Sequence, residues 1–225
     1  MLSVGCDPVA RAKTIGVQDL FEQKLLPKYP PVFYDWFMAQ FPDPADWYRA
    51  RQRYTQTAAV MSMVGYVIGL GDRHCENIMF DHTTGDTVHV DFNCLFNKGE
   101  NFSTPERVPF RLTGNMVHAM GVTGCEGTFR AACEATLGMM RQECDTLVPV
   151  LNTFAHDPII DWSSTRGKDE AKKVMARMEK RLKGQVQKKQ TGLPLSVAGQ
   201  VHNLINEATS SANLSVMYIG WASHM

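Results

Sequence analysis

Phe33, Trp36, Phe37 and Phe41 recur at spacings of three and four residues, a stripe that predicts a helix facing a core. Before it, Leu20, Phe21 and Leu25 predict a short helix over Gln18 to Leu26, which Pro27, Pro30 and Pro31 interrupt. Residues 1–17 carry only weak periodicity. Phe41-Pro42-Asp43-Pro44 breaks the chain, and either Asp43 or Asp46 caps a helix bearing Trp47, Tyr48 and Tyr54, with Arg49, Arg51 and Arg53 as a solvated face. Helix continues or restarts from Thr57 to Ile68. That stretch is apolar nearly all round and rich in small residues, the pattern of a buried central helix. Gly69 and Gly71 then end it in a tight turn presenting Asp72.

The period changes from helix to strand after this turn. Asn77-Ile78-Met79-Phe80 is a short apolar run, His82 to Asp86 supplies turn residues, and Thr87-Val88-His89-Val90-Asp91 alternates, which together predict a β-hairpin. With the turn centred near Thr84, Met79 falls opposite His89 and Asn77 opposite Asp91, to within one residue of register. Phe92 to Thr113 has no sustained period, and Pro105 and Pro109 disfavour a long element; a loop of this length is functional or mobile. Helical signals return from Asn115 to about Phe154, with Phe129, Cys133, Leu137 and Met140 on one face and Leu147, Val150, Leu151 and Phe154 on another. A linker reads from Ser163 to Gly167. Asp169 then begins a basic amphipathic helix through Lys189, in which Val174, Met178, Leu182 and Val186 recur every four residues. Ser196 is placed to cap a helix whose Val201, Leu204, Ile205 and Ala208 share a face, and Asn213 to cap a shorter one with Leu214, Met217 and Tyr218. Tyr218-Ile219-Gly220-Trp221 is too aromatic for a free tail. The fold class is α+β and mainly α.

Composition narrows the picture. The 225 residues suffice for a sizeable core, and Lys plus Arg balances Asp plus Glu at 23 each, so bulk charge gives no reason to expect nucleic-acid binding. The six cysteines include no C-x-x-C pair, and reduced thiols of a cytosolic or nuclear protein fit better than disulfide staples. No secretory signal is expected at Met1, and the longest apolar run, Ala58 to Leu70, is too short to span a bilayer. His118 with Cys125, Cys133 and Cys144 has poor spacing for a closed zinc site.

The chemistry gathers between Asp72 and Asp91. Asp72 precedes Asn77 by five residues, the spacing at which kinase catalytic loops place a base and a magnesium ligand, and the hairpin returns Asp91 beside them. Magnesium takes hard oxygen donors from one or two side chains, completed by phosphate and water, so Asn77 and Asp91 suit it. The order Asp-Arg-His reverses the common His-Arg-Asp. Arg73 beside a carboxylate either joins the chemistry or fixes the loop by ion pairing. A phosphate-binding glycine loop is excluded at Gly69 and Gly71, because neither glycine motif is present and both follow a helix.

The string GLGDRHCENIMFDHTTGDTVHVDFN closely resembles the catalytic and metal-binding segments of the phosphatidylinositol 3-kinase-related protein kinases. Asn93, where most kinases carry Gly, and the run DFNCLFNKGE resemble the ATR checkpoint branch, and residues 193–225 resemble the FATC segment that ends these kinases. The resemblance implies the large lobe of a protein-kinase-like fold over residues 1–160, with a catalytic loop at 69–77, a metal-binding hairpin at 77–91 and an activation segment at 91–113. Residues 161–192 become a linker and regulatory helix, residues 193–225 the FATC tail, and the small lobe is absent from this chain. The implied reaction is transfer of the ATP γ-phosphate to a Ser or Thr followed by Gln, with Mg²⁺ or Mn²⁺. Asp72, His74 and Arg73 are then catalytic, Asn77 and Asp91 hold metal, and Met79 and Val90 floor the adenine unless they are ordinary hairpin core. Phe92, Asn93, Pro109, Phe110 and Arg111 belong to the activation segment, and the tail is expected to dock beside it and support its order. Further implications are a nuclear location, an ATR-interacting partner subunit, the missing remainder of the kinase, a homodimeric assembly of heterodimers, indirect DNA contact and no membrane. A phosphoinositide kinase and a noncatalytic scaffold of the same fold are the alternatives.

Overall fold

The computed structural model describes residues 16–155, 167–185 and 193–225. The expected linker at 163–166 and the far end of the basic helix, Val186 to Lys189, lie outside the described residues. The N-terminal helix is short: α1 (Val17–Leu20) passes into a π turn over Phe21–Leu25 and a 3-10 turn over Leu26–Lys28, and only Phe21 of its apolar residues is buried. Pro27, at the start of the 3-10 turn, stops the helix as expected.

The aromatic stripe forms α2 (Phe33–Gln40) and supplies the ring cluster of the core. Phe33 meets Phe37, Tyr54 and Phe80 at centroid distances of 5.1, 5.3 and 4.5 Å, so one side chain joins three elements. Asn115 fixes the start of α2, its Oδ1 accepting from the main-chain N–H groups of Val32 and Phe33 at 2.9 Å. The two expected helical stretches are one helix, α3 (Pro44–Ile68), of 25 residues. Asp43 is its cap, with Oδ1 accepting from Ala45 N and Asp46 N at 2.9 and 3.1 Å, and Pro44 sits at the position where its missing N–H costs nothing. Its second half is less enclosed than its composition suggests: Ala58, Ala59, Met63 and Val67 are buried, whereas Val60 is 41% exposed. Gly69 ends it in the left-handed conformation (φ 67°), and Leu70 N donates back to Gly65 O at 2.8 Å.

After the hairpin strands β1 (Ile78–Phe80) and β2 (Thr87–His89), the rest is helical: α4 (Gly114–Ala119), α5 (Thr128–Gln142), α6 (Cys144–Ala155), α7 (Gly167–Leu182), α8 (Val197–Ala208) and α9 (Ser211–Leu214). The predicted face of α5 packs along α3, with Phe129, Cys133 and Leu137 fully enclosed. Helix α6 is peripheral rather than core, since Val150 is exposed and Leu147 and Leu151 only half-buried. The basic helix α7 buries Ala171, Met178 and Leu182 but stops there, because Gly184 turns left-handed (φ 71°) and Gln185 N closes on Lys180 O at 2.8 Å.

In the tail, Ser196 caps α8 as expected, accepting from Gly199 N at 3.0 Å, and Val201, Leu204, Ile205 and Ala208 are buried. Asn213 is not a cap. It lies inside α9, whose first position follows Ser210, and donates its amide to Glu207 O at 2.9 Å, folding α9 back on α8. Gln200, buried at the start of α8, donates to Tyr66 Oη and Arg181 O, each at 3.1 Å, and accepts from Arg141. One amide thereby satisfies groups from α3, α5 and α7.

Leu137→Ala should cost about 2–5 kcal/mol of stability, read as a lowered denaturation midpoint, because its enclosure leaves a cavity. Val150→Ala on exposed α6 should stay within about 0.5 kcal/mol in the same measurement.

Candidate active site

Between the end of α3 and residue 98, four residues with side chains take positive φ: Asp72 (59°), Asp91 (54°), Phe96 (60°) and Asn97 (63°). Each such conformation costs roughly 1–2 kcal/mol and persists only where surrounding contacts impose it. Those contacts are visible. Asn97 N donates to Gly69 O, Phe96 N to Ile68 O and Gly71 N to Cys94 O at 2.8, 3.1 and 2.8 Å, pairing the loop after α3 with the segment after the hairpin. A Cβ at Gly69 would lie 2.7 Å from Asn97 N, so glycine is needed there for both its φ and the close approach.

Arg73 stands at the centre, only 3% exposed. Its Nε donates to Gly71 O at 2.9 Å, Nη1 to Asn77 O at 3.3 Å and Val90 O at 2.7 Å, and Nη2 to Asp91 O. The ion pair expected of an Arg beside a carboxylate is therefore replaced by a fan of main-chain carbonyls. Asp72 and Asp91 still act on it through space, yet burial prevails and lowers its pKa. The guanidinium spans from loop to hairpin, which is a positioning geometry.

The hairpin register differs from the expected one by a residue: Ile78 opposes His89, Met79 opposes Val88 and Phe80 opposes Thr87. The cause lies in the turn, where Asp81 Oδ1 accepts from Thr83 N at 2.7 Å and Thr84 N at 3.2 Å, and Asp81 N donates to Asp86 O at 2.9 Å. The loop is thus centred between Thr83 and Thr84. Asn77 O accepts from Val90 N at 3.1 Å, so Val90 rather than Asp91 is its ladder partner. Strict alternation would then turn Asp91 to the other face from Asn77. The positive φ of Asp91 breaks that alternation, and its Oδ1 accepts from Asn93 N at 3.1 Å. Exposed Met79 (55%) and Val88 (45%) are the apolar pair on the open face; Val90 is half-buried. His89, on the opposite face, has an unpartnered Nδ1, and burial beside Arg73 pushes its pKa down to about 4.

Asn77 is buried, and its Nδ2 donates to Asp72 O at 2.7 Å. That bond commits the amide nitrogen and leaves Oδ1 as the free donor atom. His74 precedes a 3-10 turn over Cys75–Asn77, and its Nδ1 accepts from Glu76 N at 3.2 Å. A neutral ring so held carries its proton on Nε2.

The segment expected to be the activation segment runs from exposed Phe92 and Asn93 through a 3-10 turn at Lys98–Asn101 to Pro109, Phe110 and Arg111, the last two buried. Arg111 grips the tail: it donates to Trp221 O at 2.5 Å, Ala222 O at 2.9 Å and Met225 O at 3.1 Å, and lies over the Trp221 ring at 4.5 Å. Its Nη2 also reaches Cys75 Sγ in the catalytic loop at 3.2 Å. The tail thus docks on the segment's exit, and Met217 Sδ accepts from Arg107 N at 3.4 Å. An open groove of about 1200 Å³ lies between the segment and α7, with Tyr66, Glu106, Pro109, Arg177 and Lys180 on its walls. Glu106 carried no sequence signal, although its Oε1 accepts from Asp72 N at 2.9 Å.

The family profile described as Phosphatidylinositol 3- and 4-kinase matches residues 3–164, and that of the FATC domain matches residues 194–225. Protein kinase rad3 of Schizosaccharomyces pombe is 53% identical over 99% of this chain, which spans 9% of that protein. Serine/threonine-protein kinase ATR of Arabidopsis thaliana is 47% identical over 90% of this chain and 8% of its own length. Among solved structures, the complete CtTel1 dimer with C2 symmetry superposes with a TM-score of 0.82 at 38% identity, over 95% of this chain and 8% of that one. The chain therefore spans under a tenth of the length of these relatives.

Arg73→Lys should cost about 2–4 kcal/mol, because an ammonium cannot serve carbonyls on both loop and hairpin, and each buried carbonyl left unpaired loses its solvation. His74→Gln should change stability by less than about 1 kcal/mol; thermal denaturation of both variants separates the buried positioning group from the half-buried ring.

Proposed function

Because the chain belongs to the phosphatidylinositol 3- and 4-kinase family and ends in an FATC domain, we propose that it forms the large lobe and tail of an ATR-type serine/threonine protein kinase. The reaction is transfer of the ATP γ-phosphate to a protein hydroxyl. The observation that carries this is the Arg73 fan, which brings the main chains of Asn77 and Asp91 within the width of one guanidinium while Asn77 Nδ2 ties in Asp72. A base and two oxygen donors are so held on one rigid unit. Asp72 orients the attacking hydroxyl and accepts its proton. Asn77 Oδ1 and the Asp91 carboxylate are hard oxygen donors, which fits magnesium, and manganese as a substitute. Magnesium, when bound, neutralises charge developing on the phosphates. His74 presents Nε2–H toward the transferring group, and Met79 with half-buried Val90 is the apolar floor for the adenine ring, exposed Val88 lying on the same face. Phosphoryl transfer draws on positioning and electrostatics more than on covalent chemistry, so loss of one group is severe.

A lid over the phosphates and a lysine are still required, and the described residues form no sheet beyond the two-stranded hairpin. Those parts come from elsewhere in a longer protein. The activation segment and the groove beside it take the peptide, for which Ser or Thr followed by Gln is the substrate class. Checkpoint signalling in the nucleus, an ATR-interacting subunit, pairing of such heterodimers into a larger dimer and only indirect contact with DNA complete the proposal.

In the full-length protein with its partner subunit, Asp91→Ala should lower phosphorylation of a Ser-Gln peptide by about 10³-fold or more with the fold intact. Near wild-type turnover would remove the assignment, and turnover of phosphoinositide in place of peptide would redirect it to a lipid substrate. The 225-residue chain by itself should bind MgATP weakly in calorimetry, since it holds half of the nucleotide site.

A further inference from the structure

Glu106 is a carboxylate that no step above uses, half-buried on the groove wall. Its surroundings are built for it. A Cβ at Gly71 or at Gly99 would overlap its Oε2, so two segments give up side chains to admit the carboxylate, and Glu106 N donates to Gly99 O at 3.0 Å. Burial raises its pKa above the usual carboxylate value and the nearby Asp72 adds to that rise, while the Asp72 N–H and Arg73 oppose it. A carboxyl group placed there at such a cost has a partner worth holding.

That partner is the backbone of the proposed base. Gly71 N still pairs with Cys94 O, but the positive φ of Asp72 takes the next N–H out of that pairing. Three side chains catch the main chain at this point. Arg73 Nε holds Gly71 O, Asn77 Nδ2 holds Asp72 O, and Glu106 Oε1 holds Asp72 N at 2.9 Å. The Gly71–Asp72 peptide plane is thus gripped at its oxygen by Arg73 and at its nitrogen by Glu106 alone. Without the second grip the plane is free to rotate about the first, and the Asp72 side chain swings with it. We infer that Glu106 is a positioning residue that locks the left-handed conformation of Asp72 and so aims the base at the substrate hydroxyl. The inference rests on the kinase reading for its catalytic consequence and on the hydrogen bond alone for its structural one.

The test uses the full-length protein with its partner subunit, carrying Glu106→Ala or Glu106→Gln. Glutamine keeps an acceptor oxygen without the charge, so it should retain the grip. Glu106→Ala should lower kcat for a Ser-Gln peptide by about 30-fold or more while KM for ATP stays within about twofold, since misaiming a base affects the chemical step and not nucleotide binding. Glu106→Gln should recover kcat to within about fivefold of wild type. Hydrogen exchange at the Asp72 amide should quicken by about tenfold or more in Glu106→Ala and by under about threefold in Glu106→Gln. Wild-type kcat in Glu106→Ala, equal loss in both variants, or an Asp72 amide that stays protected would each overturn the inference. A wild-type protein inactive on Ser-Gln peptide refutes the kinase reading instead, and exchange at Asp72 still decides the contact.

Discussion

The Arg73 guanidinium, buried and satisfied by carbonyls of Gly71, Asn77, Val90 and Asp91, is the interaction on which the proposed site depends. Residues at positive φ before and after the hairpin throw main-chain carbonyls out of any regular ladder, and buried carbonyls left alone are costly. One planar cation with five donors answers several of them at once. Two carboxylates nearby complement its charge through space without spending their oxygens on it. Loop, hairpin and base are consequently one unit whose strain is balanced locally.

Much of this was legible in the chain. The aromatic stripe, the Asp43 cap, the buried face of α5 and the Ser196 cap each follow from local periodicity or capping chemistry, and local rules suffice for them. The hairpin was legible, and its register to within the expected residue; the Asp81 side chain settles which, and that single residue decides the ladder partners. The left-handed backbone at Asp91 is announced by no alternation pattern. Helix α7 ends at Leu182, one step of its four-residue period before Val186, since Gly184 outranks the pattern. Asn213 looked like a cap because its type favours caps, yet Ser210 holds that place.

The site's supports were the least legible. Arg73 meets carbonyls 2 to 18 residues away, Glu106 meets an amide 34 residues back, and Arg111 meets a tail more than 100 residues on. These contacts involve main-chain partners, which carry no residue-type signature, so neither charge patterning nor motif spacing points to them. Family resemblance supplied the proposed site positions, and only the folded chain shows what holds them.

Arg111 reads the tail by the carbonyls of Trp221, Ala222 and Met225 rather than by most of their side chains. A grip of that kind tolerates exchange of residue identity at Ala222 or Met225 but measures contour: carbonyls must arrive at fixed intervals after the Trp221 ring seats on the guanidinium. An inserted or deleted residue would displace those carbonyls, whereas an exchanged side chain need not. The tail therefore acts as a ruler, read by its spacing more than by its letters.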